Sequence, residues 1–99
     1  MIIRVFRGCV KAEKLQSLDG LLTEVTSRLK KQPGLVCHYL GRPMAPHATE
    51  FLVLTVWNDL QALKNFSGDN WQESVIPPLM APVLEDSFLH HYSAFKSKP

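Results

Sequence analysis

The stretch from Glu50 to Asp69, EFLVLTVW followed at once by NDLQALKNFSGD, constrains the fold more than any other part of the chain. Its first eight residues are almost wholly apolar, β-branched or aromatic. A run of this kind, too short for a core helix, suits a strand buried on both faces. A helix is expected immediately afterwards. Asn58 or Asp59 can accept free amide protons of the first turn, Leu60, Leu63 and Phe66 share one side, and Gly68 permits the left-handed residue that ends it.

The flanking sequence supplies the partners of this strand. Residues 2 to 9, IIRVFRGC, alternate so that Ile3, Val5, Arg7 and Cys9 point one way and Ile2, Arg4 and Phe6 the other. Each face thus carries one arginine, which must reach an edge or meet an anion, because an unpaired buried charge costs several kcal/mol. From Ala12 to Lys31, Leu15, Leu18, Leu22, Val25 and Leu29 step by three and four, predicting one amphipathic helix with Gly20 in its middle and Pro33-Gly34 at its end. Leu35 to Arg42 reads as a second strand, with Leu35, Cys37 and Tyr39 on one side and Val36, His38 and Leu40 on the other. PMAPHAT, residues 43 to 49, is a turn-rich connection with His47 at its tip. Between Asp69 and Val83, Pro77, Pro78 and Pro82 forbid a long helix, and Trp71, Ile76, Leu79 and Met80 imply a segment that folds over an edge or closes a pocket. Asp86 to Phe95 is the last strand.

The order strand, helix, strand, strand, helix, strand predicts an α+β, ferredoxin-like βαββαβ fold. Its four-stranded antiparallel sheet takes the order 4-1-3-2, with both helices on one face. The expected organisation is a single domain over residues 1–95 and a polar tail at 96–99. Because the central strand is apolar on both sides, the face without helices needs a cover, and a second copy's sheet is the simplest one, giving a homodimer.

Composition narrows the function classes. The chain of 99 residues has a formal net charge of +2, with basic residues scattered except around Arg28, Lys30 and Lys31 and in the tail, which is not a nucleic-acid footprint. RNA recognition on the third strand would need displayed aromatic and basic side chains, and FLVLTV offers only Phe51. No apolar run approaches the roughly 20 residues that cross a bilayer, and arginines interrupt the N-terminal apolar run, so the expected location is cytoplasmic and no membrane partner is expected. Cys9 and Cys37 lack metal-ligand spacing and read as reduced small hydrophobes; no metal is expected.

RVFRG in the first strand, TEFLVLTVW in the third, the phrase W-x-x-L-x-A-L-x-x-F-x-G-D at residues 57 to 69 and His91-Tyr92 in the last strand together resemble the antibiotic biosynthesis monooxygenase superfamily of dimeric α+β barrels. The resemblance spans nearly the whole chain and implies fold and dimerisation. Aligned on Thr55-Val56-Trp57, the three haem-holding positions of the superfamily's haem-degrading branch fall on Arg7, Phe66 and Ile76. All three differ from that branch, so the reading is of no cofactor. The cofactor-independent branch implies instead a monooxygenase acting on a small hydroxylated aromatic or quinol-like ring in a cleft between sheet and helices. Arg7 and His91 are the implied catalytic residues, and Phe66, Asn70, Trp71 and Tyr92 the implied substrate-binding ones. Asn70 or Trp71 would donate a hydrogen bond, and His91 or Tyr92 would face the cleft, according to strand parity. The alternative is a non-catalytic dimeric binding or accessory protein.

Overall fold

The computed structural model describes residues 1–45, 48–73, 78 and 80–95. His47, Ile76, Pro77, Leu79 and the tail at 96–99 lie outside the described residues. The strands are β1 (Ile2–Val10), β2 (Leu35–Gly41), β3 (Glu50–Trp57) and β4 (Leu84–Ser93); the α-helices are α1 (Leu18–Leu29) and α2 (Leu60–Ser67). All neighbours in the sheet are antiparallel, in the order β2-β3-β1-β4, and the fold is the expected ferredoxin-like α+β arrangement. β3 spans the predicted residues, and its partner β1 runs the full length beside it.

The strand-to-helix junction forms as its residues dictate. Asp59 is the N-cap of α2, its carboxylate accepting the Ala62 amide proton at 2.9 Å, and Gly68 closes the helix at φ +87°. Gly34 faces this junction from the other side. At φ +82° it accepts the Asn58 amide proton at 2.9 Å, and a Cβ there would lie 2.5 Å from the Ala62 methyl.

Two elements depart from expectation. The single helix predicted from Ala12 to Lys31 is a 3-10 helix over Ala12–Ser17 followed by α1. Neither start has a side-chain cap, and the Leu18 amide donates to Leu15, the three-residue spacing that tightens an uncapped turn. In β2 an irregularity between Leu35 and Cys37 sets Leu35 opposite Trp57 but Cys37 opposite Val56, so these two residues face opposite sides of the sheet rather than the same one.

Val10, Phe51 and Val53 of the sheet meet Leu18, Leu21, Leu22, Val25 and Leu29 of α1 and Met80 of the following loop in the core. Gly8 is required by this packing, since a Cβ there would come within 2.6 Å of the Phe51 ring. The segment after α2 is therefore part of the core through Met80. Val83 anchors it to the β1 end, its carbonyl accepting from Lys11 at 2.9 Å. No described helix is long and apolar enough to cross a membrane.

Candidate functional site

The even-numbered residues of β1 and the odd-numbered residues of β3 face the helices. Phe51, Val53 and Trp57 are buried there, and Phe6 meets Phe51 diagonally across the β1/β3 pair at 6.0 Å between ring centroids. The register then fixes the rest of the face. Leu40, Val53, Phe6 and Leu89 form an apolar row across the four strands. The next row is His38, Thr55, Arg4 and His91, polar in every strand.

A cavity of about 250 Å³ lies between this face and the helices. Phe6, Val53, Val25, Leu29 and Met80 supply its apolar wall, Phe66 and Ser67 close its α2 end, Glu73 lies at its loop side, and Arg4 and Thr55 bring the polar row into it. The size fits a small ring system rather than a chain. Phe66 is held in place by stacking on Trp57, with centroids 4.9 Å apart.

Arg4 is the cation of the site. It is half-buried, its Nη1 donates a long 3.5 Å hydrogen bond to the Trp71 carbonyl, and no carboxylate forms an ion pair with it among the described residues. Burial pushes its guanidinium below the ordinary value, yet an arginine keeps its charge in proteins. Across β4 from it stands His91, whose ring meets the Trp71 ring edge-on at 4.9 Å. Burial foremost, then the charge of Arg4 and the neighbouring His90, lower the His91 pKa, which keeps the imidazole neutral near pH 7. Its Nε2 is buried with no hydrogen-bond partner among the described residues. His91 and Trp71 stand beside the cavity, next to Arg4, and are not among the residues lining it.

The expected site residues thus divide. Phe66 lines the cavity, and His91 and Trp71 pack against its arginine. Asn70 is exposed in the turn after α2. Arg7 does not enter the cleft. It lies on the opposite face, paired with Glu50 at 3.1 Å and 5.0 Å over the Phe88 ring. The assignment of Arg7 to the cleft rested on an alignment to the haem-degrading branch, and it fails on strand parity: Gly8 and Val10 are buried on the helix side, so Arg7 between Phe6 and Gly8 must point away. Tyr92, adjacent to His91, is on that same far face and 54% exposed. Arg4 and Thr55 are the residues that sequence reasoning missed. Arg4 shares its alternating set with Phe6, but the two sets of β1 are equally apolar, so alternation alone does not say which one meets the helices.

Among the described residues no group of three or more His, Cys, Asp or Glu side chains is arranged to hold a metal ion. Cys9 and Cys37 are free thiols on the face away from the helices. Burial, then Glu50, Asp86 and Glu85, push the Cys9 pKa up and keep it a thiol.

No curated protein matches the chain by sequence. Solved structures match its fold closely at low identity. A candidate antibiotic biosynthesis monooxygenase from Nitrosomonas europaea superposes with a TM-score of 0.78 at 11% identity, covering 97% of this chain and 100% of that one. A second candidate monooxygenase, from Deinococcus radiodurans, gives 0.75 at 15% identity, over 100% and 97%. SnoaB from Streptomyces nogalater, a cofactor-independent oxygenase, gives 0.73 at 17% identity, over 99% and 96%. The sequence profile of the antibiotic biosynthesis monooxygenase family matches residues 1–73, which takes in β1 through α2 and the turn that carries Trp71. The chain belongs to the antibiotic biosynthesis monooxygenase family.

Proposed function

We propose that the protein is a cofactor-independent monooxygenase that oxidises a small hydroxylated aromatic or quinol-like ring in the cavity between its sheet and helices. The observation that carries this reading is Arg4: a permanent cation that forms no ion pair with a carboxylate among the described residues, at the wall of a mainly apolar, ring-sized cavity and next to a neutral imidazole. SnoaB, similar in fold, is a cofactor-independent oxygenase, which supports the same chemistry here.

In such a reaction the substrate supplies all the electrons. A ring carbon bearing two hydrogens in its keto tautomer, with one dioxygen, gives a ring carbonyl and one water. His91, which borders the cavity beside Arg4 without lining it, takes the first proton from a ring carbon held at that edge, leaving a ring oxyanion that Arg4 stabilises. Dioxygen adds to the carbanionic carbon and receives that proton, forming a hydroperoxide. Loss of the second C–H proton then breaks the O–O bond, and the hydroxide released leaves as water. Phe66 and Phe6 confine the ring, with Trp71 beside the cavity next to Arg4, and the apolar wall excludes bulk water, which strengthens the Arg4–oxyanion attraction. Asn70, exposed beside Trp71, is assigned to the mouth of the site.

We further propose that the active species is a homodimer joined through the sheet face that carries Leu52, Leu54 and Val56. On that face Tyr39 is 67%, Tyr92 54% and Phe88 39% exposed, an apolar surface that neither helix covers.

Oxygen uptake over a panel of hydroxylated aromatics, with a metal chelator present and no added cofactor, tests the activity. The expected result is protein-dependent uptake, for at least one ring, that is lost in Arg4→Met. Tight binding of such rings without uptake would instead make the protein a binding module.

A further inference from the structure

Thr55 is the one buried polar residue of the described core, 2% exposed in the middle of β3. Elsewhere on its face of the strand stand Phe51, Val53 and Trp57, and a valine would match the shape of Thr55. Its hydroxyl oxygen accepts a hydrogen bond from the Trp57 indole Nε1–H at 2.9 Å. An indole N–H can only donate, so this contact fixes the threonine as acceptor on that side and turns its own proton away from Trp57. Trp57 is fully buried and stacked on Phe66, so it cannot release the hydroxyl by swinging aside. Thr55 lines the cavity, and directly across the β1/β3 pair from it is Arg4, which lines the same cavity. Neighbouring residues of an antiparallel pair have Cβ atoms about 4.5–5.5 Å apart. The cavity thus presents a charged donor and a neutral donor side by side, with apolar residues in the adjoining row.

We propose that Thr55, oriented by Trp57, is a specificity-determining hydrogen-bond donor that makes the cavity select rings carrying two oxygens on one edge, one anionic for Arg4 and the next neutral for Thr55. The proposal rests on the reading of the cavity as the ligand site. It deepens that reading by naming a second anchor and the substituent pattern the pair recognises. A donor placed for a substrate oxygen discriminates against an analogue lacking it, because the donor is then left buried without a partner.

Salicylate and benzoate test this as a pair. Both carry a carboxylate for Arg4, and only salicylate has an adjacent oxygen for Thr55. The wild-type protein is expected to bind salicylate about tenfold more tightly than benzoate, the size of one good hydrogen bond. Thr55→Val should remove that preference by weakening salicylate alone, Thr55→Ser should retain it, and Arg4→Met should weaken both. Because valine strands the Trp57 indole N–H, the double variant Thr55→Val, Trp57→Phe removes donor and acceptor together and keeps the measurement available if the single variant unfolds. A threonine present only to satisfy Trp57 would affect stability without moving the salicylate-to-benzoate ratio, and an unchanged ratio in both valine variants overturns the proposal. Binding that needs Arg4 but not Thr55 overturns it while leaving the cavity reading standing. Failure of the wild-type protein to bind either probe at millimolar concentration removes both.

Discussion

The two faces of the sheet are built from the same four strands, yet they solve opposite problems. The helix-covered face buries Phe51, Val53, Trp57 and the leucines of α1, and in the middle of that apolar packing it keeps a polar row, His38, Thr55, Arg4 and His91. The open face carries Leu52, Leu54, Val56, Val5 and Tyr39, and sets its one β1 arginine beside Glu50 and Phe88. Arg4 and Arg7 are three residues apart, and alternation sends them to these two environments. Charge inside a packed face, with no carboxylate paired to it among the described residues, is costly and points to a ligand. Charge on an open face that already has a carboxylate partner is local neutralisation.

The largest expected effect comes from breaking the open face. Leu54→Glu places a carboxylate in the centre of the proposed dimer interface, where an unpaired buried charge costs several kcal/mol. Light scattering at micromolar concentration should show the wild-type protein at about twice the chain mass and the variant at the monomer mass or unfolded. A wild-type monomer at that concentration, or a Leu54→Glu dimer, would mean that the open face is not the interface.

Next in size is the contrast between the arginines. Arg4→Met keeps most of the stem and removes the cation, and a lost charge-assisted hydrogen bond in a dry site is worth about 1.5–3 kcal/mol, roughly ten- to a hundredfold in affinity for an anionic ring. Arg7→Met should leave that affinity within about twofold, since it removes charge from the other face. Titrating one set of hydroxylated aromatics against both variants measures the difference, and equal losses would erase the distinction between the faces.

How much of this was legible in the sequence follows from what each signal depends on. β3 and both ends of α2 were readable because an apolar run, Asp59 and Gly68 are local features whose meaning does not change with tertiary context. The sheet order followed from topology rules applied to that pattern. Which face of β1 meets the helices was not readable. Ile2-Arg4-Phe6 and Ile3-Val5-Arg7 are equally apolar with one arginine each, and only the fit of Gly8 under the Phe51 ring decides between them. The same holds for Leu35, where an irregularity in pairing overrides alternation. Thr55 was invisible as a site residue because its partner Trp57 and its neighbour Arg4 come together only through packing and cross-strand register.

A smaller effect should follow from pH. The His91 pKa is lowered in the folded protein, mainly by burial, so the unfolded chain binds the proton more tightly than the native one. Stability from this residue is complete above the unfolded value of about 6.5 and falls as pH drops through that value toward the folded one. Urea midpoints should therefore decline between pH about 7.5 and about 5.5 more steeply for the wild-type protein than for His91→Phe, which cannot be protonated. Equal slopes would place His91 in water rather than against Trp71.

The smallest expected effect tests the open face from its edge. Arg7 and Glu50 are 3.1 Å apart, but each side chain is 45% exposed, and pairs of this kind contribute about 0–1 kcal/mol, less as salt is added. Glu50 begins β3 and its Cα partner is Cys9, near the end of β1, so the pair lies toward one margin of the sheet while Leu54 lies nearer its middle. Glu50→Gln should accordingly lower stability by no more than about 1 kcal/mol, with the difference fading in high salt. If the partner sheet reached over this margin as well, the substitution would strand Arg7 in a dry interface, and the cost would rise to about 3–5 kcal/mol and persist in salt. The size and salt dependence of this single change, read from denaturant unfolding at two ionic strengths, therefore measures how far the covered part of the open face extends.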